Sequence, residues 1–292
     1  MGNGMWKQEA RDSIEEPTER NEKLEDQRPQ ESSSSIPRHA WVNRREEKFD
    51  YDKYYIKQRA DIAKYGGPHP NIILFGRVGL HCYNLQNGTN LQFLTVHNFD
   101  SWITSIYSHF ITLEAMDPVG NSSCEIETHV RHAIENKDCL SAITTLCRLK
   151  TTTREKKDKY FDMDKNLVDD FFKGGMPEWM PEDALTGRDK LQYYEMKDSE
   201  LEEEKEWLHL YAELALFSKL HAHALESAKP FEMKKIVVRT KANVESKKKV
   251  KAENAIFYTS FKTRCGQDCN CIIRKTTDGR PGYLSLEVKC FL

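Results

Sequence analysis

Between Ile72 and Val96 the chain reads IILFGRVGLHCYNLQNGTNLQFLTV, and this stretch restricts the fold more than any other. Ile72, Phe75, Gly76, Gly79, Leu80 and Tyr83 recur at the spacing of one helix face. Each glycine inside a helix costs about 1 kcal/mol relative to alanine. Both lie on the inward face, so the pattern predicts a helix Ile72–Asn84 that another backbone approaches closely. A sheet curled around the helix supplies that backbone. Asn87-Gly88 is a turn signal, and Leu91–His97 follows as a first strand.

Downstream the period changes from helical to alternating. Ile103–Met116 sets Tyr107, His109, Ile111, Leu113 and Ala115 on one face and Ser108, Phe110, Thr112, Glu114 and Met116 on the other. Asp117-Pro118-Val119-Gly120-Asn121 is a turn. Cys124, Ile126, Thr128 and Val130 then alternate with Glu125, Glu127 and His129, a strand with one wet face, and Ile143–Leu149 is a shorter strand that closes the sheet. Phe49–Tyr65 suits a short amphipathic helix ended by Gly66-Gly67-Pro68. Residues 49–150 thus predict a helix on three or four antiparallel strands.

The same order recurs in residues 191–292. Asp198-Ser199 with Glu202 offers a helix start, and Leu201–Ala224 carries Trp207, Leu210, Tyr211, Leu214 and Phe217 at helical spacing. Met233–Val244, Ala255–Arg264, Cys269–Thr276 and Tyr283–Phe291 are strand-like, with a strong turn at Asp278-Gly279-Arg280-Pro281-Gly282. Residues 151–190, charged and rich in turn formers, predict a linker whose aromatics (Tyr160, Phe161, Phe171, Phe172, Trp179) pack back on a domain. Residues 1–48 hold too few apolar side chains to offset chain entropy and predict a disordered tail. The expected fold class is α+β: two units in tandem, each a helix packed on an antiparallel sheet, behind that tail.

The stretch Ile72–Val130 resembles plant cystatins, with HFITLEAMDPVG followed by CEIETHV placed like that family's second hairpin. The resemblance implies cystatin-like units and invites comparison with the inhibitory wedge of the family: an amino-terminal glycine, a Gln-x-Val-x-Gly hairpin and a tryptophan on a second hairpin. His97-Asn98-Phe99-Asp100-Ser101-Trp102, taken as the first hairpin, lacks the motif. In the second unit Lys249-Val250-Lys251-Ala252-Glu253 keeps the valine but has Lys249 for the glutamine and Glu253 for the glycine. Neither Arg131–Ala142 nor Thr276–Gly282 carries a tryptophan. Gly66-Gly67 stands where an amino-terminal glycine would. The chain from Phe49 to Leu292 also resembles an uncharacterised plant protein family, expanded in crucifers and named for an embryo-defective mutant. It shares the phrases GLHCYNLQNGTNLQF, PEWMPEDALTGRD and WLHLYAELALF with that family. This second resemblance implies membership and brings no activity with it.

Charge excludes some partners. Lys+Arg is 44 against Asp+Glu 46, so no global basic field favours nucleic acid or an anionic membrane. No run approaches the roughly 20 apolar residues of a membrane span. The first thirty residues carry no secretory leader, and Trp6 breaks the myristoylation pattern. The expectation is an intracellular protein, cytoplasmic or nuclear and not secreted, with its eight cysteines as thiols.

Among groups that could carry chemistry, Cys265, Cys269, Cys271 and Cys290 are the densest cluster. Four thiolates can hold zinc, but knuckle spacing separates each pair by two to four residues, whereas one residue separates Cys269 from Cys271. Along a strand those two face the same way, so buried thiols are the better reading, and no metal or cofactor is expected. His221 and His223 diverge around a helix, and His129 and His132 read as a solvent-exposed pair. His81-Cys82 points in two directions around a helix turn, which excludes a Cys–His dyad. Lys247-Lys248-Lys249-Val250-Lys251 reads as an exposed hairpin loop that keeps a sheet end soluble, with a nuclear address as the sharper alternative. The sequence therefore favours a non-enzymatic interaction or scaffold protein with an unidentified protein partner. A divergent cysteine-protease inhibitor and an enzyme with an unread site are the alternatives.

Overall fold

The computed structural model describes residue 64 and residues 66–103, 106–135, 139–150, 164–220, 222–241 and 244–292, all within one compact unit, Asp50–Leu292. The tail, Tyr160 and Phe161, the helix expected over Phe49–Tyr65 apart from Lys64, and the side chains of His221 and His223 lie outside the described residues.

Helix α1 runs Pro70–Asn87. The His69 imidazole accepts from the Asn71 N–H at 3.3 Å, Pro70 sits where no amide partner is required, and Gly88 ends the helix at φ 63°. Four strands follow as an antiparallel meander: β1 (Gln92–Ile103), β2 (Tyr107–Asp117), β3 (Ser122–Glu135) and β4 (Cys139–Leu149). The segment His97–Trp102, expected as a hairpin, is the second half of β1. Two bulges, between Phe93 and Thr95 and between Val96 and Asn98, interrupt the alternation that would have marked it as strand.

The second half begins with β5 (Tyr193–Glu195) and continues through α2 (Asp198–Glu203), α3 (Lys205–Phe217) and α4 (Ala222–Ala228). The single helix expected over Leu201–Ala224 is thus three. The chain leaves helical geometry at Glu204 (φ −99°, ψ 11°), and beyond Phe217 the Ser218 hydroxyl donates to the Ala215 carbonyl at 2.7 Å. At the start of α2 it is Glu200, not Glu202, that accepts from the Lys197 N–H, at 2.9 Å. Then come β6 (Glu232–Arg239), the short α5 (Ser246–Lys249), β7 (Ala255–Lys262), β8 (Asp268–Thr276) and β9 (Leu284–Phe291).

The two meanders share one sheet. Its order among the described residues is β1-β2-β3-β4-β9-β8-β7-β6-β5. The strand expected to close the first sheet, β4, instead joins the halves, pairing antiparallel with β9 from Cys139↔Lys289 to Thr144↔Leu284. Each meander contributes its last strand to this joint, so the order is palindromic and the two principal helices lie antiparallel on one face. Phe75 meets Phe217 edge-on, Arg77 pairs with Glu213, and His81 reaches Tyr211. This neighbour explains why Leu74, Val78 and His81, on the flank of α1 and not on its expected inward stripe, are buried as well.

The segment expected as a linker is a second layer. Val168, Phe172 and Ala184 cover Val237, Ile256, Tyr258 and Ile272, together with Tyr193 of β5, on the face of the sheet away from the helices. Arg274 fastens it, donating to the Gly175 and Gly174 carbonyls at 2.9 Å each while its Nε pairs with Glu287 at 2.7 Å.

Candidate functional site

Where α1 and α3 diverge above the joint they leave a cleft. The Arg77 guanidinium donates to the Glu213 carboxylate at 2.7 Å, and one turn on His81 Nε2 lies 3.0 Å from the Tyr211 hydroxyl. Trp207, at the start of α3, stacks 5.8 Å from the His81 ring and edge-on to Phe257 of β7 at 5.5 Å. Burial and the nearby Lys275 ammonium hold the His81 imidazole neutral, its pKa lowered to about 3. A histidine so held bonds to a phenol and takes up no proton at physiological pH.

One cavity of about 400 Å³ opens here, bordered by His81, Leu85, Trp207, Val250, Lys251 and Lys275 among others. A second, of about 570 Å³, lies on the other side of Leu85, bordered by Cys82, Gln86, Cys147, Arg280 and Tyr283, and again by Lys251 and Lys275. Gln86 ties α1 to the β8–β9 turn there: its Oε1 accepts from the Gly282 N–H at 2.6 Å and its Nε2 donates to the Tyr283 carbonyl at 3.1 Å. Glu204 closes the first cavity, paired with Lys251 at 3.0 Å and accepting from the Trp207 indole at 2.5 Å. Lys275, in β8, is 2% exposed and forms the floor common to both.

His81 and Cys82 do not form a dyad. The Cys82 thiol turns to the sheet, where its Sγ accepts from the Cys147 thiol at 3.2 Å, and burial drives its pKa well up. Of the four candidate zinc ligands, Cys269, Cys271 and Cys290 are buried on the helix-facing side of the sheet, with Cys271 directly opposite Cys290. Cys265 is exposed in the β7–β8 turn, 3.1 Å from the Thr263 hydroxyl. Burial raises Cys269 to about 11 and Cys290 to about 12, which opposes the thiolate form a metal requires. Among the described residues no three His, Cys, Asp or Glu side chains converge as metal ligands.

His129 and His132, expected as an exposed pair, are 4% and 5% exposed and occupy opposite faces. The cause is the length of β3, which carries both well inside the sheet. His129 stacks on Phe110 and bonds to the Ser108 and Thr145 hydroxyls at 2.7 and 2.5 Å. His132 lies between the rings of Phe75 and Tyr107, at 4.0 and 4.8 Å. The basic run also departs from expectation. Lys249 is 1% exposed, its ammonium donating to the Thr240 hydroxyl at 2.9 Å and the Lys241 carbonyl at 3.2 Å. Since Ser246–Lys249 coils into a helical turn, this lysine points inward where an extended hairpin loop would have left it in water.

These features define a class: an α+β protein in which one antiparallel sheet carries paired helices on a single face. Comparison with known proteins narrows it. The UPF0725 protein At2g20620 of Arabidopsis thaliana is 41% identical over 217 residues, covering 74% of this chain and 74% of its own length. The UPF0725 protein At4g29550 of the same plant is 38% identical, covering 74% of this chain and 62% of its own length. The family model described as protein MS5 matches residues 176–286. The crystal structure of MS5 from Brassica napus superposes with a TM-score of 0.57 at 24% identity, over 76% of this chain and 97% of that one, a likeness of fold. The chain belongs to the UPF0725 family of plant proteins.

Proposed function

We propose that the protein is a non-enzymatic interaction or scaffold protein, built from two cystatin-like units fused through their last strands and acting inside the cell on a protein partner. The observation that carries this reading is an apolar rim. Trp102, Ile103, Tyr107 and Ile134, at the ends of β1, β2 and β3, are 44%, 67%, 45% and 46% exposed. Register brings them to one end of the sheet: Ile103 pairs with Tyr107, Tyr107 with His132, and Ile134 lies two residues beyond on the same face. Four large apolar side chains at one rim are the kind of surface a partner covers. The absence of catalysis is supported by the state of the cleft, where His81 is neutral and tied to Tyr211 and the Cys82 thiol is far from ionising.

The test is affinity capture from the native tissue with the wild-type chain and with Ile103→Asp/Ile134→Asp. Proteins retained by the wild type and lost by a variant with an unchanged melting curve support the reading. Identical captured sets refute it. The same preparation is incubated with a papain-type protease, and sub-micromolar inhibition would replace this reading with that of a divergent inhibitor.

A further inference from the structure

Lys275 is the group that the fold leaves without an explanation. It lies on β8 between Leu286 and Ala255 of the neighbouring strands, on the face toward the helices. A core position of this kind normally takes an aliphatic residue, because burying an ammonium without partners is expensive. The other lysine buried to this degree, Lys249, has two oxygen acceptors, whereas no hydrogen bond holds Lys275 Nζ among the described residues. Its ammonium lies over the Phe257 ring, 5.5 Å from the centroid. The carboxylate of Glu204 is turned to Lys251 and Trp207, and Glu253 is exposed. Burial lowers the Lys275 pKa to about 8, with the charges of Glu204 and Glu253 acting the other way, so at neutral pH the amine still carries its proton without a hydrogen-bonded counter-ion.

What it does have is open space on two sides. The cavities of about 400 and 570 Å³ both end on this side chain, and volumes of that order hold small ligands. The walls of the first cavity include Leu80, Leu85, Trp207, Leu210 and Val250, which suit an apolar body, and Glu203, Glu204 and Glu206 also border it. The other cations on the two linings are paired, among them Arg77 with Glu213, Lys251 with Glu204 and Arg280 with Asp278, so Lys275 is left as a single cation that matches a monoanion; a phosphate dianion is recognised by several donors together.

We propose that the interhelical cleft is a binding site for a small apolar carboxylic acid, whose carboxylate pairs with the Lys275 ammonium while its hydrocarbon body lies along Leu80, Leu85 and Trp207. This site is at the joint of the two halves and is separate from the apolar rim of β1–β3, so either reading can fail without the other.

The test is calorimetric titration of the full chain with octanoate, 1-octanol and inorganic phosphate. Octanoate is expected to bind at one site, with phosphate giving no heat and octanol binding at least tenfold more weakly. Lys275→Met keeps the length of the side chain and removes the charge, and should weaken octanoate at least tenfold. Absence of octanoate binding at millimolar concentration, or equal affinity for the acid and the alcohol, would overturn the proposal. Equal affinity of Lys275→Met and wild type would do the same. A readout on the wild type keeps the proposal testable if the variant does not fold. Acetic anhydride labelling followed by peptide mass spectrometry should show Lys275 protected by octanoate while surface lysines such as Lys248 are not, and equal labelling of Lys275 with and without octanoate refutes the site.

Discussion

Two glycines three residues apart on α1 should respond to the same substitution with opposite signs. A Cβ built on Gly79 falls 2.5 Å from both Cβ and Cγ2 of Thr128 on β3, and it comes nearer still to the Thr128 hydroxyl. Apolar contacts rest at about 3.5–4.0 Å, so roughly 1 Å of displacement is required. The atoms in the way are the root of a fully buried side chain, and its hydroxyl donates to the Leu146 carbonyl at 2.9 Å. Overpacking of this kind costs about 1–3 kcal/mol, and loss of the threonine hydrogen bond adds about 1 kcal/mol. The helix-propensity gain of alanine over glycine, about 1 kcal/mol, offsets part of this. Gly79→Ala is therefore expected to destabilise by about 1–3 kcal/mol net. At Gly76 the nearest atoms to a built Cβ are Leu113 Cδ2 at 3.5 Å, Ile111 Cγ2 at 3.6 Å and Phe93 Cε2 at 3.8 Å, ordinary contacts. Gly76→Ala should keep the propensity gain and stabilise by up to about 1 kcal/mol. Urea denaturation of both variants and the wild type, with matching m values, reads the difference directly. If Gly79→Ala is stabilised as much as Gly76→Ala, the packing of α1 on β3 described above is wrong.

Two further outcomes are expected. Lys249→Ala should cost about 1–3 kcal/mol by leaving the Thr240 hydroxyl and Lys241 carbonyl without their donor, whereas Lys248→Ala, at an exposed position, should stay within about 0.5 kcal/mol; equal effects in urea titrations would mean that the basic run is a solvated loop after all. Acid should destabilise the fold well above the carboxylate range, because burial lowers His81 and His132 to about 3 and His109 and His129 to about 4. Folded, these rings stay neutral where the unfolded chain, at about 6.5, takes up protons. Their contribution is complete above pH 6.5 and is lost as pH falls toward 4 for His109 and His129 and toward 3 for His81 and His132. The urea midpoint should drop between pH 7.5 and pH 5, and His132→Phe should flatten that slope. A midpoint unchanged over this interval would contradict the burial of these rings.

Much of this architecture can be read from local pattern. The helix-then-strands order of each half follows from a change of period at Asn87-Gly88 and again at Pro230, and Asp278–Gly282 does form the β8–β9 turn. What pattern does not carry is the partner of a strand's second edge. Leu140, Ala142 and Thr144 alternate inward whether β4 ends a sheet or continues into β9. The glycines of α1 show the same limit. They signalled a close approach correctly, but at Gly79 the approaching group is the Thr128 side chain instead of a backbone, and Gly76 has room for a methyl group. His129 and His132 read as wet because polar residues are exposed by default. The aromatic neighbours delivered by β2 and α1, Phe110 and Phe75, and for His129 the Ser108 and Thr145 hydroxyls, make their burial tolerable. Lys275 has no sequence signal at all: a lysine three residues before the Asp278–Gly282 turn is ordinary, and its burial depends on helices distant in the chain.

The joint between the halves also accounts for where the cleft lies. A single row of the sheet runs Tyr107, His132, Ala142, Leu286, Lys275, Ala255 through consecutive pairings of β2, β3, β4, β9, β8 and β7. His132 and Lys275 stand one strand to either side of the β4–β9 seam, each a titratable group on the helix-facing side. In the first half α1 lies directly over its own meander, and Phe75 seals His132 against Tyr107. In the second half the helix is interrupted at Glu204, so α3 begins only at Lys205, and its first turn sets Trp207 against His81 and Phe257 on the border of the first cavity. Lys275 borders both cavities where His132 is sealed between rings, so the two halves, alike in topology, differ along this row. Fusion through last strands supplies both walls of the cleft, since neither α1 nor α3 alone could enclose it. A half separated from its partner would keep its meander and lose the site.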